Sequence, residues 1–426
     1  MNVKVPKAFG SSLHLILVYF SIAVLFLFCK SPDLDNQCDS TSKTYLDLLT
    51  LESFFEIDLN PCIKLPDKTV CELSILQSIQ TKYWYLVQNE LKLQAALGTG
   101  SPTTSFVPSP TTGTAKWLGG VLAPNGKIYG IPYHESNILV FDPVTNTSKL
   151  IPSPLTGTAK WEGGVLAPNG KIYAIPRDAA SILVIDPVTD SVSTFPSPVT
   201  GTAKWRGGVL APNGKIYGLP VNESSILVID PSANIAYSFA SPVTGTNKWE
   251  GGALAPNGKI YGIPLDTDQI LIIDPTNDTA TTVPSPKTGL GKWRQGVLTS
   301  SGLIFGIPST ENTFMVLNPS TNSSYYLNLS VSGTSKWRGG VLAPDGKIYT
   351  MPADASEVLI FDPETYVSST VPGGASFGNK WGDGILTSSG KIYTIPHTNN
   401  DFLQIDTAAK GKFCNSILLS GYFNRY

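Results

Sequence analysis

The feature that most constrains this 426-residue sequence is a repeat of 44 residues. Residues 157–176 read GTAKWEGGVLAPNGKIYAIP, and close copies lie 44 residues before and after this segment. A fixed period of this size is typical of chains built from one repeated supersecondary unit. Seven tryptophans keep the spacing without a slip, and a lysine precedes each of them: Trp117, Trp161, Trp205, Trp249, Trp293, Trp337 and Trp381.

Each unit predicts four short antiparallel strands. In the second unit the apolar runs fall at 161–167, 171–175, 182–186 and 191–197. The Asn-Gly pair between the first two runs is a strong hairpin signal. Four strands in 44 residues is the size of a propeller blade, and 39 glycines and 33 prolines suit many tight turns. The sequence therefore predicts an all-β, seven-bladed β-propeller over residues 101–426.

The pattern within a unit also predicts how the blades pack and close. A glycine pair such as Gly163 and Gly164 marks the Trp strand as innermost, with the tryptophan wedged between neighbouring blades. Residues 103–110 (TTSFVPSP) copy a fourth-strand ending but precede the first repeat tryptophan, so they are expected to pair with residues 402–406 of the last blade. The rival for that slot is the apolar segment 413–419.

In six of the seven units a lysine follows the hairpin and an aspartate ends the third strand, which predicts a cross-strand ion pair. Lys127 and Asp142 form the first of these pairs, and the fifth unit replaces both partners with Leu303 and Asn318. Because the replacement is joint, the pair is interpreted as structural.

The N-terminal region has a different composition from the repeats. Leu13–Phe28 is an apolar run that follows two lysines, and its length suits the core of an export signal better than a membrane span, so residues 1–28 are predicted to be an export signal. Residues 29–100 are predicted to hold a linker and a small helical module, because apolar residues recur there every three or four positions.

Cys29 and the polar segment CDSTSK that soon follows it resemble the start of spirochaetal surface lipoproteins. The resemblance implies a lipid on Cys29 and attachment to the cell envelope; an ordinary secretory signal or an uncleaved anchor are the alternatives. The other four cysteines are an even number in an exported chain, which predicts two disulfides, although a free buried thiol at the last of them fits equally well. They are Cys38, Cys62, Cys71 and Cys414.

The strand order predicts two rims of different character. One rim, called here the hairpin rim, carries the PNG hairpins and the DPxT turns, which are nearly identical in every unit. The other, called the variable rim, carries the segments before each tryptophan and the loops between the second and third strands, which differ. Repeat scaffolds usually place specificity in such loops, so we expect a ligand site at the variable rim.

Opposite charges crowd this rim, and a mutually neutralised, solvated surface is the simplest interpretation. Ca²⁺ or Mg²⁺ held by carboxylates, or an anionic ligand held by lysines, are the alternatives. The candidate lysines are Lys116, Lys160, Lys204, Lys248, Lys292, Lys336 and Lys380. The other candidates are His134, Glu135, Asp178, Glu223, Asp266, Asp268, Glu311, His397 and Asp401.

The unit GGVLAPNGKIYAIP followed by ILVIDP resembles seven-bladed propellers of the streptogramin-lyase-like and surface-layer YVTN-type families. In the lyase-like group the resemblance implies activity that depends on histidine, acidic residues and a divalent metal near the propeller mouth. The histidines available for this are His134 and His397, in the first and last blades, which are neighbours in a closed ring. No nucleophile or general base is identified by its spacing.

The expected function is therefore a monomeric, exported and lipid-anchored binding or adhesion scaffold for a protein or glycan, and a metal-dependent lyase or lactonase is the alternative. A net charge of −2 without a basic run argues against nucleic acid as a partner. Five sequons would be sugar sites in a eukaryotic secreted protein and carry no meaning in a bacterial one. They lie at Asn146, Asn222, Asn277, Asn322 and Asn328.

Overall fold

The computed structural model describes residues 100–374 and 378–408, and every regular element there is a β-strand. Twenty-eight strands form seven four-stranded antiparallel sheets, which confirms the seven-bladed propeller. No helix among the described residues is long and apolar enough to span a bilayer. The predicted export signal, the helical module and all five cysteines lie outside the described residues. Lipidation of Cys29 and the disulfides therefore stay predictions.

The strands follow the repeat closely. Those of the first three blades are β2 (Trp117–Leu122), β3 (Ile128–Pro132), β4 (Asn137–Asp142), β5 (Thr147–Pro152), β6 (Trp161–Leu166), β7 (Ile172–Pro176), β8 (Ser181–Asp186), β9 (Ser191–Pro196), β10 (Trp205–Leu210), β11 (Ile216–Pro220), β12 (Ser225–Asp230) and β13 (Ile235–Ala240). Those of blades four to six are β14 (Trp249–Leu254), β15 (Ile260–Pro264), β16 (Gln269–Asp274), β17 (Thr279–Pro284), β18 (Trp293–Leu298), β19 (Ile304–Pro308), β20 (Thr313–Asn318), β21 (Ser323–Asn328), β22 (Trp337–Leu342), β23 (Ile348–Pro352), β24 (Glu357–Phe361) and β25 (Ser368–Pro372). The seventh blade holds β26 (Trp381–Leu386), β27 (Lys391–Pro396), β28 (Asp401–Asp406) and β1 (Thr103–Pro108).

Each Trp strand is the first in its sheet and packs against the Trp strands of both neighbouring blades, as the sequence predicts. The tryptophans are buried wedges. Trp205 lies in one buried apolar cluster with Tyr173 and Ile175 of the preceding blade, and its indole N–H donates to the Ser225 carbonyl oxygen at 2.7 Å. The same bond recurs in all seven blades, so burial of a large aromatic ring costs no unpaired donor.

The ring closes through the N-terminal strand. β1 pairs antiparallel with β28, from Thr103 opposite Asp406 to Pro108 opposite Asp401. This confirms that residues 103–110 complete the last blade and leave no open sheet edge between the two ends of the ring. The rival segment 413–419 lies outside the described residues.

The hairpin rim fastens neighbouring blades with one repeated contact. Asn125 Nδ2 donates to the hydroxyl of Tyr129 and to the carbonyl oxygen of Pro187 in the next blade, at 3.0 and 2.8 Å. Tyr393 reaches the carbonyl oxygen of Pro143 across the closure, at 3.2 Å. The uniformity of this rim is therefore explained by folding.

The predicted cross-strand ion pair forms in some blades, but it is not the main role of the repeated aspartate. Lys171 Nζ lies 3.5 Å from Asp186 Oδ2, whereas Lys215 Nζ lies 3.8 Å from Asp278 of the following blade. Asp142 Oδ1 accepts the backbone N–H of Val144 at 2.9 Å, which caps the turn after the strand. An asparagine caps the same turn equally well, and this explains Asn318 in the fifth blade.

Glycine is required where the innermost strands meet. Gly119 has φ of +89°, and a Cβ atom there would lie 2.6 Å from the Cα atom of Gly163 in the next blade. Gly126, in a hairpin, also has a positive φ of +77°, but the space around its Cα atom is open. The two glycines therefore share the backbone requirement and differ in crowding.

Gly119→Ala is expected to lower the free energy of unfolding by about 1–3 kcal/mol more than Gly126→Ala. Both variants strain a left-handed residue, but only the first places a methyl group against the backbone of another blade. Urea denaturation of the two variants beside the wild type measures the difference. Equal losses would show that the blades do not approach each other this closely.

Candidate functional site

The seven lysines of the variable rim lie between blades and do not project into solvent. Their relative exposure is 0–3%. Lys160 Nζ donates to the carbonyl oxygens of Tyr133 and Glu135 in the preceding blade, at 3.2 and 2.9 Å, and to that of Gly157 at 3.0 Å. The other lysines form bonds of the same kind: Lys116, Lys204, Lys248, Lys292, Lys336 and Lys380. Their observed role is to fasten blades.

The geometry at these lysines favours the ammonium form. Burial lowers the pKa of Lys248 and of Lys336 to about 8. Three carbonyl acceptors around one nitrogen require three N–H groups, which only the charged side chain supplies. At neutral pH Lys160, Lys204 and Lys248 therefore each act as a three-way donor to carbonyl oxygens.

Two of the candidate aspartates also hold the blades together. Asp178 Oδ1 accepts the backbone N–H of Ala203, and Asp266 Oδ1 that of Gly291, both at 2.7 Å and both in the next blade. Ala203 has φ of +48°, so the carboxylate fixes a residue in a left-handed conformation. Asn222 makes the same bond to Asn247 at 2.8 Å, which shows that the position needs an oxygen acceptor but no charge.

The remaining acidic candidates have local partners. Asp268 Oδ1 lies 3.3 Å from Lys292 Nζ, and Glu311 pairs with Lys287. Glu223 accepts the backbone N–H of its neighbour Ser224 at 2.8 Å, and Glu135, two blades earlier, accepts that of Ser136 at 3.0 Å. Asp401 begins β28, and its charge raises the pKa of Lys116, against the larger opposing effect of burial. Among the described residues no group of three or more His, Cys, Asp or Glu could hold a metal ion. The described structure thus gives no support for Ca²⁺ or Mg²⁺ at this rim.

Charged side chains of both signs meet on the propeller axis. They belong mainly to the residue that follows the repeat tryptophan of a blade. A β-bulge follows the tryptophan in every innermost strand and interrupts the strand register here. The seven residues at this position are Leu118, Glu162, Arg206, Glu250, Arg294, Arg338 and Gly382. They form, with Arg177 and Asp383, what we call the axial cluster.

Two buried glutamates organise the arginines of the axial cluster. Glu162 Oε1 lies 2.9 Å from Arg206 Nε, and Glu250 Oε2 lies 2.7 Å from Nη1 of the same arginine. Arg338 reaches both glutamates, at 3.4 and 3.7 Å, and Arg294 lies 3.2 Å from Glu250. The glutamates are 0% and 3% exposed, so the pairs are shielded from solvent. Removal of one partner from such a pair leaves an uncompensated buried charge.

Asp383 is the unusual member of the axial cluster. It is 4% exposed, and neither of its carboxylate oxygens has a hydrogen-bond partner. Burial raises the pKa of Asp383 well above its usual range, and Glu162 and Glu250 raise it further against the opposing effect of Arg338. Burial therefore favours the uncharged form of the side chain, and this form spares the fold an unpaired buried charge.

Asp383→Asn is expected to raise the free energy of unfolding at pH 7. Above the unfolded-state pKa of about 3.9, the unfolded chain has released a proton that folded Asp383 retains, so its contribution to stability falls as pH rises. Asparagine does not titrate, so the difference in free energy of unfolding between the variant and the wild type should shrink as pH falls towards 4. Urea denaturation of both proteins at several pH values measures this. A difference that does not depend on pH would contradict the protonated state.

Aromatic and basic side chains line one side of the mouth. The ring of Tyr133 stacks on His134 at 4.6 Å between centroids and contacts His397 at 5.7 Å. The Tyr133 hydroxyl accepts a hydrogen bond from Arg177, which also lies 3.2 Å from Glu162. The first and last blades thus bring the two histidines near each other, as predicted. In repeat register, however, His397 corresponds to Tyr133, and His134 lies one residue later.

The histidines are poor bases in this setting. Burial and the nearby Arg338 lower the pKa of His397 to about 3, and its Nδ1 lies 3.1 Å from the Asn379 carbonyl oxygen. Because a carbonyl only accepts, Nδ1 carries the proton and Nε2 is the acceptor. Burial, Lys160 and Arg177 also lower the pKa of His134. Both rings therefore favour the uncharged form, chiefly because they are buried.

Comparison with protein-family models and with curated proteins gives no match. Among solved structures, streptogramin B lyase is similar over 73% of this chain and 98% of its own, with a TM-score of 0.62 and 12% identity. Virginiamycin B lyase from Staphylococcus aureus gives the same score and identity, over 72% of this chain and 99% of its own.

An extracellular domain of a hybrid two-component system from B. thetaiotaomicron is also similar, with a TM-score of 0.56 and 11% identity. That similarity covers 74% of this chain and 44% of the larger protein. At these identities the likeness concerns architecture alone. The chain shares the seven-bladed β-propeller fold of the streptogramin B lyases.

Proposed function

We propose that the protein is an exported binding scaffold that takes its ligand at the mouth of the variable rim. The observation that carries this proposal is where the blades differ. The hairpin rim repeats one hydrogen-bonded contact between blades, and the buried lysines repeat another. The residue after each tryptophan, by contrast, is leucine, glutamate, arginine or glycine, depending on the blade. A uniform scaffold with one chemically varied surface is the usual arrangement of a repeat protein that binds a ligand.

The test compares the wild type with a loop-exchange variant in detergent. In the variant, loops 133–137 and 177–181 carry the sequence VNESS of loop 221–225, which preserves the oxygen acceptor for the next blade. Both proteins are screened against glycans and extracellular matrix proteins, with Val188→Ser on the opposite rim as the control. We expect the exchange alone to abolish capture of a ligand. Equal capture by all three proteins would place binding elsewhere and refute the proposal.

Export and tethering form the second part of the proposal. They are supported by the apolar segment Leu13–Phe28 followed by Cys29, and by the extracellular origin of a structurally similar domain. Cys29→Ala is expected to move the protein from the membrane fraction to the soluble fraction once the export signal has been removed. Fractionation and mass measurement of the mature N-terminus check this. A processed variant that stays on membranes would exclude the lipid as the tether.

A lyase acting at the same mouth is the alternative. It is favoured by the shared contact of His134 and His397 with Tyr133 and by the likeness in fold to streptogramin B lyase. A pKa of about 3 for His397 is poorly matched to proton transfer at neutral pH, and this favours binding over catalysis. Metal-dependent turnover that is lost in both His134→Ala and His397→Ala would support the lyase.

A further inference from the structure

We propose that an exposed tyrosine patch between the fifth and sixth blades is the docking surface for the C-terminal segment of the same chain, residues 409–426. The patch consists of Tyr325 in β21 and of Tyr366 and Val367, which lie just before β25. This surface is separate from the ligand site proposed for the mouth, because it lies on the outer strands beside the opposite rim.

Tyr366 departs from the repeat at a position where the backbone favours other residues. It lies in the turn between the third and fourth strands of its blade. The equivalent residues of the first five blades are all asparagine or aspartate: Asn146, Asp190, Asn234, Asp278 and Asn322. All six residues have φ between +53° and +61°, in the left-handed region. Asparagine and aspartate tolerate this conformation, whereas a bulky side chain is strained in it. Tyrosine therefore costs stability at this position, which indicates a role outside the turn.

The hydrogen bonds of the repeat do not explain the tyrosine. In other blades this position accepts a hydroxyl from the preceding blade, as Tyr261 donates to Asn322 Oδ1 at 2.7 Å. The fifth blade carries Phe305 in place of that donor, and Phe305 has no hydroxyl to give to the sixth blade. An asparagine or a glycine would still satisfy the left-handed backbone with less strain than Tyr366.

The patch holds its rings in fixed positions but leaves them open to solvent. The ring of Tyr366 stacks on that of Phe361 at 6.4 Å between centroids, and its hydroxyl is hydrogen-bonded to that of Tyr325 in the preceding blade. Tyr325, Tyr366 and Val367 are nevertheless 42%, 51% and 65% exposed. Rings that are already fixed lose little conformational entropy when another segment packs on them. Exposed clusters of large apolar side chains are typical of interaction surfaces, where tyrosine is enriched.

The C-terminal segment is the occupant that the chain itself brings to this side of the ring. Its apolar run 413–419 needs a surface to cover it. The slot for a fourth strand in the last blade is filled by β1, so the run needs another partner. The chain leaves β28 at Asp406, beside the hairpin rim of the seventh blade, and the sixth blade that carries Tyr366 is its neighbour.

The length of chain after β28 suits this assignment. The outer strands of the sixth and seventh blades are in contact, since the Thr104 hydroxyl donates to the Pro372 carbonyl oxygen at 2.8 Å. Residues 407–412 separate β28 from Phe413, and an extended chain of that length spans about 20 Å. Because facing sheets pack about 10 Å apart, the run that begins at Phe413 can lie against Tyr366.

The residues before β1 are the rival occupant. They leave the ring at the same place, because a Cβ atom on Gly100 would lie 3.2 Å from that of Ala408. Their apolar residues, however, recur at helical spacing and are predicted to pack within a helical module of their own. The run 413–419 belongs to no such module, so we assign the patch to the C-terminal segment.

The experiment measures solvent access to the patch in the full-length protein, reconstituted in lipid nanodiscs, by hydroxyl-radical labelling and mass spectrometry. The variant combines Ile417→Asp with Leu418→Asp, because an apolar contact does not accommodate two charges. We expect Tyr325 and Tyr366 to be labelled severalfold faster in the variant than in the wild type. Tyr326 is the internal control. It is 44% exposed and follows Tyr325 on the opposite face of the same strand, so its labelling should not change.

Tyr366→Asn tests the same contact from the side of the propeller. It restores the residue type of the other blades and relieves the strained backbone, so the ring should stay folded. Amide hydrogen exchange in residues 413–419 should become severalfold faster. Val188→Asn, at a 90% exposed site in the corresponding turn of the second blade, should leave that exchange unchanged.

Three results would overturn the inference. Unchanged labelling of Tyr325 and Tyr366 in the Asp variant would show that the patch is bare or is covered by the residues before β1. Faster labelling of Phe106 alone would place the C-terminal segment along β1, as a fifth strand of the last blade. Unchanged exchange of residues 413–419 in Tyr366→Asn would show that the tyrosine does not hold them. Urea denaturation of each variant confirms folding beforehand.

Discussion

Glu250→Ala is expected to lower the free energy of unfolding by about 3–5 kcal/mol, the largest effect among the substitutions considered. Glu250 is 3% exposed and lies within 2.7–3.7 Å of three arginines, Arg206, Arg294 and Arg338. Alanine would remove a carboxylate that balances these charges and leave a cavity beside them. Urea denaturation at pH 7 measures the loss.

The pH dependence of this loss separates charge from packing. Burial acts to raise the pKa of Glu250, but the three arginines outweigh it and hold the pKa at about 2. Since the folded pKa lies below the unfolded value of about 4.3, the stabilising effect is full above that value and disappears as pH falls towards 2. The difference between wild type and variant should shrink over this window.

Glu223→Ala, a rim glutamate one blade earlier, is the control and should cost less than about 1 kcal/mol. A loss of similar size for both glutamates would mean that the axial cluster contributes no more than an ordinary surface charge.

Lys160→Met is expected to lower the free energy of unfolding by about 2–4 kcal/mol. Methionine has a similar length, but it leaves the carbonyl oxygens of Tyr133, Glu135 and Gly157 without the donor they share. Two of these oxygens belong to the first blade and one to the second, so the substitution also weakens the contact between the two blades.

The matched control is Lys171→Met in the same blade, whose side chain is 45% exposed and lies 3.5 Å from Asp186. Loss of that exposed pair should cost less than about 1 kcal/mol. The main chains of residue 160 and Tyr133 are hydrogen-bonded at 3.1 Å. Amide hydrogen exchange at these two residues should be faster in Lys160→Met and unchanged in Lys171→Met. Similar stability of the two variants would show that Lys160 stabilises the contact between blades no more than an exposed surface lysine does.

The fold was predictable because its determinants are local and repeated. The 44-residue period and the Asn-Gly hairpins predicted four strands a blade, and in the second blade the observed bounds differ from the predicted ones by a residue or so. Closure was predictable for the same reason, because residues 103–110 copy a fourth strand that has no blade of its own in sequence order. Such signals need no knowledge of distant contacts.

The rim lysines show where sequence reasoning reaches its limit. Their partners are backbone carbonyl oxygens, which have no sequence signature, so the lysines read as surface charges. One signal did point to a structural role. The lysine recurs in all seven units, including those whose neighbouring loops differ, whereas residues that contact a ligand have no reason to repeat with the scaffold.

The axial cluster was missed because its orientation depends on an irregularity of the strand. In a regular strand, side chains alternate between the two faces of the sheet, and this alternation, counted from the buried tryptophan, gives no reason to place Arg206 or Glu250 on the axis. The β-bulge between Trp205 and Gly208 interrupts the alternation. The available signal was charge of both signs at one fixed repeat position. The raised pKa of Asp383 depends on burial and on charged neighbours from three other blades, and the sequence alone does not bring those together.

Completion of the seventh blade by β1 has a consequence for the order of folding. Thr103 and Asp406 are partners although roughly 300 residues separate them, so the ring can shut only after the whole repeat region has been synthesised. Until then β1 has no strand with which to form backbone hydrogen bonds. The sheets at both ends of the growing array also keep open edges, which can pair with another chain. We therefore expect chains truncated before β28 to accumulate as intermolecular assemblies even when most of their blades are intact.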